Sequence, residues 1–337
     1  MYLKNLSVIQ FKNYDEADLQ FDQQFNCFVG KNGSGKTNVL DAVHYLSLCK
    51  SFLNQIDSQN VKWDHPFFVV QGDFVTDEDT HPVYCGVKKG QKKKFRRKGN
   101  EYERLADHIG LFPSVMISPY DRNLISEGSE IRRKFIDSII AQLNKPYLEK
   151  LMRYNKVLTQ RNAVLKNTQK SGFFDRESIE VWDEQLVDLG KLIYDTRVEF
   201  LKEFVPYFLE YYHFISDSKE SVEIEYKSEL HENEFIDLLN QSRQKDSFLG
   251  YTSKGVHRDD LNFLLNGHPV KKYGSQGQQK SFLIALKLAQ FDFMKSKVKN
   301  KPIVLLDDIF DKLDHSRVKK LMELVADNRF GQVFVTD

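Results

Sequence analysis

The feature that most constrains this chain is Gly30-Lys31-Asn32-Gly33-Ser34-Gly35-Lys36-Thr37, followed by Asn38. It fills every fixed position of the pattern GxxxxGK followed by Ser or Thr. Its glycines let a loop curl until successive backbone N–H groups face one anion. An apolar run, residues 25–29, precedes it and reads as a central strand. Val39, Leu40, Val43, Leu46 and Leu48 follow at roughly helical spacing. The order is therefore strand, loop, helix. Such a helix presents its N-terminal dipole to a phosphate held in the loop. Lys36 then reaches the β- and γ-phosphates of a nucleotide, and the Thr37 hydroxyl ligates Mg²⁺.

A second stretch completes that chemistry. Ile303-Val304-Leu305-Leu306-Asp307-Asp308 is a hydrophobic strand ending in acid. Placed beside the phosphate loop, it brings Asp307 to the Mg²⁺, directly or through water. Asp308 then stands where a carboxylate orients the attacking water. Alone, such a strand is equally a β-strand capped by solvated acids. With the loop it reads as the second half of an ATP site.

A third stretch narrows the class. Tyr273-Gly274-Ser275-Gln276-Gly277-Gln278-Gln279-Lys280 opens an apolar helix. Exposed N–H groups, a helix dipole and a Ser hydroxyl make this helix start another anion site. It resembles the signature motif of ABC-type ATPases, which caps the γ-phosphate bound to a second subunit. By that resemblance Ser275, Gly277 and Gln278 are trans-capping residues. Asp311-Lys312-Leu313-Asp314 resembles the D-loop of the same class. An ordinary capped helix explains the SQGQ stretch in isolation; the order of four motifs favours the ATPase reading.

The rest of the chain gives the organisation. Leu6, Val8, Ile9, Leu19 and Phe21 mark early strands, and residues 61–87 contain two more. Residues from about 130 to 212 are mainly helical, with Leu143, Leu148, Leu151, Leu158 and Leu165 in one run. A second run holds Trp182, Leu186, Leu189, Ile193 and Phe200. Neither run predicts a long coiled-coil arm. Strand character returns at 221–226 and 261–265, where Asn266-Gly267 predicts a hairpin. A helix near 316–326 and a strand over 332–335 end the chain. The expected fold is α/β: an ATPase head from 1–105 and 215–337 with mixed β lobes, and an inserted, mainly α-helical lobe from 106–214.

Composition excludes several other classes. The chain has 337 residues, 41% hydrophobic and 29% charged, enough to form a sizeable core. Lys+Arg 49 against Asp+Glu 48 leaves a net charge of +1, so this is no uniformly basic, histone-like protein. Cys27, Cys49 and Cys85 are scattered, which argues against a disulfide scaffold or zinc ribbon. No apolar run spans a membrane and the N-terminus carries no secretory pattern, so a cytoplasmic protein is expected.

The whole chain resembles the RecF family, the SMC-like, ABC-type ATPases of bacterial DNA recombination and repair. The resemblance rests on Phe11-Lys12-Asn13-Tyr14, GKNGSGKTNVLDAV (residues 30–43), Ile117-Ser118-Pro119 with residues 131–137, residues 255–261, YGSQGQQK (residues 273–280) and LLDDIFDKLD (residues 305–314). It implies an ATP- and Mg²⁺-binding head, slow hydrolysis, and ATP-driven homodimerisation on double-stranded or gapped DNA. It also implies cooperation with RecR and RecO in loading the RecA recombinase. By the same resemblance Lys12, Asn13 and Tyr14 form an early turn near the nucleotide. Asp308 stands where many ABC ATPases carry glutamate, and its shorter side chain fits weak turnover. Thr336-Asp337 lies where transporters carry a switch histidine. The usual Q-loop glutamine is not evident near Ser118–Arg122, and the family usually continues past Asp337. Rival readings are a transporter ATPase subunit, another SMC-like head such as an antiphage ATPase, and a P-loop protein that binds ATP without hydrolysing it.

DNA contact has one dense candidate. Residues 88–98 contain eight cations: Lys88, Lys89, Lys92, Lys93, Lys94, Arg96, Arg97 and Lys98. They suit contact with a phosphate backbone, or equally a solvated hairpin tip. Arg132, Arg133 and Lys134 are open in the same way, to DNA or to packing of the helical lobe. No groove-reading motif is present, so recognition of backbone and junction shape is the expected mode. The phosphate loop yields the first test: Lys36→Ala is expected to abolish ATP binding in a nucleotide titration, and unchanged affinity would refute the assignment.

Overall fold

The computed structural model describes residues 1–77, 79–172, 176–216, 220–308, 319–320, 323 and 329–337. The D-loop stretch, residues 311–314, and most of the helix expected near 316–326 lie outside them. Contacts divide the chain into two compact units. One comprises Met1–Arg122, Phe214–Asp217 and Gln276–Asp337; the other comprises Asn123–His213 and Ser218–Ser275. The sequence predicts other lines, with 106–122 among the helices and 218–275 in the head; pairing of residues 114–117 with 303–306, and ion pairs from Arg132 and Arg197 to Asp260 and Asp259, move them.

The first unit holds two sheets. In the antiparallel one the order is β2 (Glu16–Gln20), β1 (Tyr2–Ile9), β4 (Phe67–Val75), β5 (Thr80–Lys88), β6 (Lys94–Arg97) and β7 (Asn100–Glu101). In the parallel one it is β3 (Phe25–Phe28), β13 (Val333–Thr336), β12 (Ile303–Asp307) and β8 (Ser114–Ile117). Residues 114–117 belong here because β8 pairs with β12 from Ile303↔Ser114 to Leu306↔Ile117. Strands β8, β12 and β13 are buried at every residue, as strands covered on both faces must be, and their sequences are correspondingly apolar. Strand β3 corrects the sequence expectation of a central strand. It ends the sheet, Phe25 is 43% exposed, and only alternate residues are half-buried.

Helix α1 (Lys36–Leu48) touches β4 and β5 of the antiparallel sheet and β8, β12 and β13 of the parallel one. This explains why Val39 to Ser47 are buried without interruption: an amphipathic stripe serves one interface, and α1 has two. The same core gathers Leu3, Phe11, Leu40, Tyr45, Phe68, Phe74, Leu305 and Phe334. Gln332 locks the two sheets in register. Its amide accepts from the Leu3 N–H at 2.7 Å and donates to the Leu3 carbonyl at 2.8 Å. Helix α8 (Gln276–Lys297) packs on β8.

The second unit is mainly helical: α2 (Asn123–Ser126), α3 (Ser129–Leu143), α4 (Lys145–Ser171), α5 (Arg176–Ser216), α6 (Phe235–Leu249) and α7 (Val270–Tyr273). A small sheet orders β11 (His268–Pro269), β10 (Asp260–Leu265) and β9 (Val222–Lys227). Asn144 starts α4, its side chain accepting from the Tyr147 N–H with Pro146 in the first turn, and left-handed Gly172 stops it. Helix α5 runs 41 residues, longer than either helical run read from the sequence. It is no free arm, because Ile179, Leu186, Ile193, Phe204, Phe208 and Tyr212 are all buried.

Ion pairs tie the small sheet to these helices. Arg132 on α3 forks onto Asp260 at 2.7 and 3.0 Å, and Arg133 donates to the Asp259 carbonyl at 2.5 Å. Arg197 on α5 holds Asp137 at 2.9 Å through two nitrogens and reaches Asp259 at 3.4 Å. Arg132 and Arg133 therefore pack this unit. The deepest pair is Arg161, fully buried, with Asp183 at 2.5 Å and Asp246 at 2.8 Å.

Removing Arg161 takes the nearest cation from two buried carboxylates and leaves Asp183 only the more distant Arg243 at 3.6 Å. Arg161→Met is expected to cost about 3–5 kcal/mol in urea unfolding. Burial already raises the Asp183 pKa. Without Arg161 burial is opposed by Arg243 alone; a raised value contributes stability at low pH that is lost as pH rises through it, so the deficit should be larger at pH 8 than at pH 5. A variant as stable as wild type at pH 8 would contradict the buried-pair account.

Candidate nucleotide-binding site

The glycine loop has the geometry its composition demands. Gly33 and Gly35 take φ of +83° and +101°, and Gly35 caps the N-terminus of α1. Space also restricts Gly35: a Cβ there would lie 2.7 Å from Asn13 Nδ2 and 2.8 Å from the Tyr14 hydroxyl. Asn13 and Tyr14 clasp the loop where it enters the helix. The Tyr14 hydroxyl donates to the Gly35 carbonyl at 3.2 Å, and Asn38 Nδ2 donates to Asn13 Oδ1 at 2.7 Å. Lys36 Nζ donates across the loop to the Gly30 carbonyl at 2.5 Å and lies 3.4 Å from that of Lys31. Lys31, Asn32 and Ser34 are exposed on the same loop.

The acidic strand converges on this loop. The Thr37 hydroxyl donates to Asp307 Oδ1 at 2.7 Å, although 270 positions separate the two residues. The end of β12 thus lies at the loop as expected, although within the sheet β13 separates β12 from β3. The last residue of β13, Thr336, bridges the gap. Its hydroxyl donates to Asp307 Oδ1 at 2.8 Å and accepts from the Asp308 N–H at 3.1 Å. The sequence showed Thr336 only as a missing histidine. Its signal was its place at the end of an apolar strand, opposite Asp307 in register. Burial raises the Asp307 pKa, the hydrogen bonds from Thr37 and Thr336 oppose that rise, and the Asp308 and Asp41 charges add to it. Asp308 is exposed with φ +47°, a costly backbone conformation of the kind that collects at functional sites.

Other expected residues fall differently. Lys12 turns its ammonium to Asp41 at 2.5 Å, both side chains at most 8% exposed, and so braces α1 from behind. Asp41 also accepts from the Ser51 hydroxyl and the Phe52 N–H, each at 2.6 Å. Ser275 is exposed, and Gly277 and Gln278 lie in the first turn of α8. A cavity of about 250 Å³ opens beside Asp308, lined in part by Ser118, Arg122, Gln276, Gln279 and Lys280. Gln279 is a polar group in that lining, and nothing in its local sequence marks it as one.

The basic run occupies the hairpin from β5 to β6. Lys88, Lys89, Lys92 and Lys94 are exposed, whereas Lys93 is only 13% exposed. Lys93 Nζ reaches the Cys49 carbonyl at 2.6 Å, Asp57 at 2.9 Å and the Tyr45 hydroxyl at 3.2 Å. Arg96 pairs with Glu101 at 3.6 Å over the Tyr84 ring, and Lys98 pairs with Asp79. The run is thus a solvated tip on a buried stem, with Lys93 in the stem. Lys93→Ala is expected to cost about 1–3 kcal/mol in urea unfolding, and Lys92→Ala less than about 0.5 kcal/mol. Equal effects would remove the distinction.

Comparison with known proteins follows the same lines. The family model for the RecF/RecN/SMC N terminal domain matches residues 2–63. The DNA replication and repair protein RecF of Phocaeicola vulgatus is 51% identical over all of this chain and 91% of that protein. That of Flavobacterium johnsoniae is 50% identical over all of this chain and 94% of its own length. A solved structure of the recombination mediator protein RecF-ATP in the RecFOR pathway has a TM-score of 0.92 at 31% identity, covering all of this chain and 91% of that one. An Smc head bound to the C-winged helix domain of ScpA shares the fold, with a TM-score of 0.57 at 17% identity. With about half its residues identical to RecF proteins along its entire length, this chain belongs to the RecF family.

Proposed function

We propose that this chain is an ATP-dependent, DNA-binding recombination mediator that hydrolyses ATP slowly. The observation that carries the reading is the 2.7 Å link from Thr37 to Asp307 in a chain that matches RecF proteins from end to end. The loop N–H groups and the α1 dipole receive the triphosphate. Lys36 gives up its loop carbonyls for phosphate oxygens. Thr37 and Asp307 supply a hydroxyl and a carboxylate oxygen on one spot, a hard-oxygen pair that fits Mg²⁺. Asp307 and Thr37 would hold Mg²⁺, which would neutralise phosphate charge, and Thr336 fixes Asp307. Asp308, anchored through its backbone to Thr336, orients the attacking water, with a reach shorter than glutamate's.

In this reading Ser275, Gly277 and Gln278 cap the γ-phosphate on a second copy, so ATP joins two heads. The dimer grips double-stranded or gapped DNA, and Lys88, Lys89, Lys92 and Lys94 supply phosphate contacts. RecR and RecO are the expected partners, with RecA loading downstream, in the cytoplasm. Among the described residues no helix is long and apolar enough to cross a membrane. Asp308→Asn should keep ATP binding, slow hydrolysis at least tenfold, as loss of a water-orienting base does, and accumulate a dimer with ATP by light scattering. Wild-type turnover in that variant would remove Asp308 from the mechanism.

A further inference from the structure

Trp63 is 90% exposed, the highest value for any large hydrophobic side chain among the described residues. A single exposed apolar residue is ordinary; its mounting is the informative part. Trp63 is the second residue of a tight turn, closed where the His65 N–H donates to the Lys62 carbonyl at 3.2 Å. Asp64 beside it takes φ +64°, a left-handed conformation that a non-glycine residue adopts only at a cost. The turn is pinned at its base. The Lys62 N–H donates to the Gln10 carbonyl at 2.8 Å, Lys62 Nζ pairs with Asp15 at 2.6 Å, and Val61 bridges to Phe11.

The chain then enters β4, whose first residue, Phe67, is 40% exposed and pairs with Lys88. The Lys89 N–H donates to the Pro66 carbonyl at 2.9 Å and extends that ladder to the hairpin tip. Trp63 and Phe67 therefore stand at the sheet end that carries exposed Lys88, Lys89 and Lys92. Lys93, clamped at Cys49, Asp57 and Tyr45, holds this hairpin to the end of α1. The platform is pinned on both sides.

Cations alone serve any polyanion, and an aromatic ring alone serves any apolar partner. Together on one edge they match a polyphosphate strand with an unstacked base, because the ring takes the base face while the ammonium groups take the phosphates. We propose that Trp63 stacks on an unpaired DNA base while Lys88, Lys89 and Lys92 hold the adjoining phosphates. This rests on the DNA-binding reading above and adds to it the residue that contacts the unpaired base.

The chain has two tryptophans, so Trp182→Phe leaves Trp63 as the only strong emitter. That variant is titrated with labelled tailed and blunt duplexes, with and without ATP, following tryptophan emission and DNA anisotropy together. Saturable quenching by tailed duplex, in step with the anisotropy rise and weak with blunt duplex, is the expected result. In the otherwise native chain, Trp63→Ala is expected to weaken tailed-duplex binding about tenfold, with Trp63→Phe restoring most of it. An anisotropy rise without quenching, an equal loss on tailed and blunt duplex, or quenching from protein concentration alone overturns the stacking proposal and leaves DNA binding standing. No anisotropy change with any DNA overturns both.

Discussion

The structure depends on one polar convergence: Thr37, Asp307 and Thr336 meet through hydrogen bonds of 2.7 and 2.8 Å on a single carboxylate oxygen. Three elements distant in sequence end there: the start of α1, the end of β12 and the end of β13. The parallel sheet makes this possible. Parallel strands deliver their C-terminal ends to one edge, where α/β sheets place their ligand sites. The cost is a buried carboxylate whose proton affinity burial raises. Two hydroxyl donors, Thr37 and Thr336, offset that cost.

Helix α1 links this site to the basic hairpin. Its first residue, Lys36, closes the glycine loop on the Gly30 carbonyl; near its other end, Tyr45 and the Cys49 carbonyl hold Lys93. Burial pushes the Cys49 thiol up to about 12, so this corner is protonated and unreactive, a structural joint. Midway, Asp41 holds Lys12, and Lys12 carries φ +54° in the early turn whose Asn13 and Tyr14 clasp Gly35. One helix, buried from Val39 to Ser47, therefore connects the loop, the early turn and the hairpin.

Much of this was legible in the sequence because it is local. The loop pattern fixed its own strand, turn and helix, and the apolar IVLL run ending in acid marked β12. What escaped was pairwise and distant. The strand before the loop lies at the sheet edge, because β13 and not β12 is its neighbour, and no local pattern gives strand order. Lys93 reads like its neighbours, yet it points inward, because alternation along the hairpin decides which cations face water. Arg132 and Arg133 were ambiguous until Asp259 and Asp260 met them. Thr336 acquires a role only from the register that sets it opposite Asp307.

The most direct test of the convergence is titration calorimetry of ATP into the full chain with Mg²⁺ and with a chelator. One triphosphate per chain is expected, bound at least tenfold more tightly with Mg²⁺, the gain expected of a cation that the Thr37–Asp307 pair holds against the phosphates. Equal affinity in the presence of the chelator, or no binding at all, would contradict it.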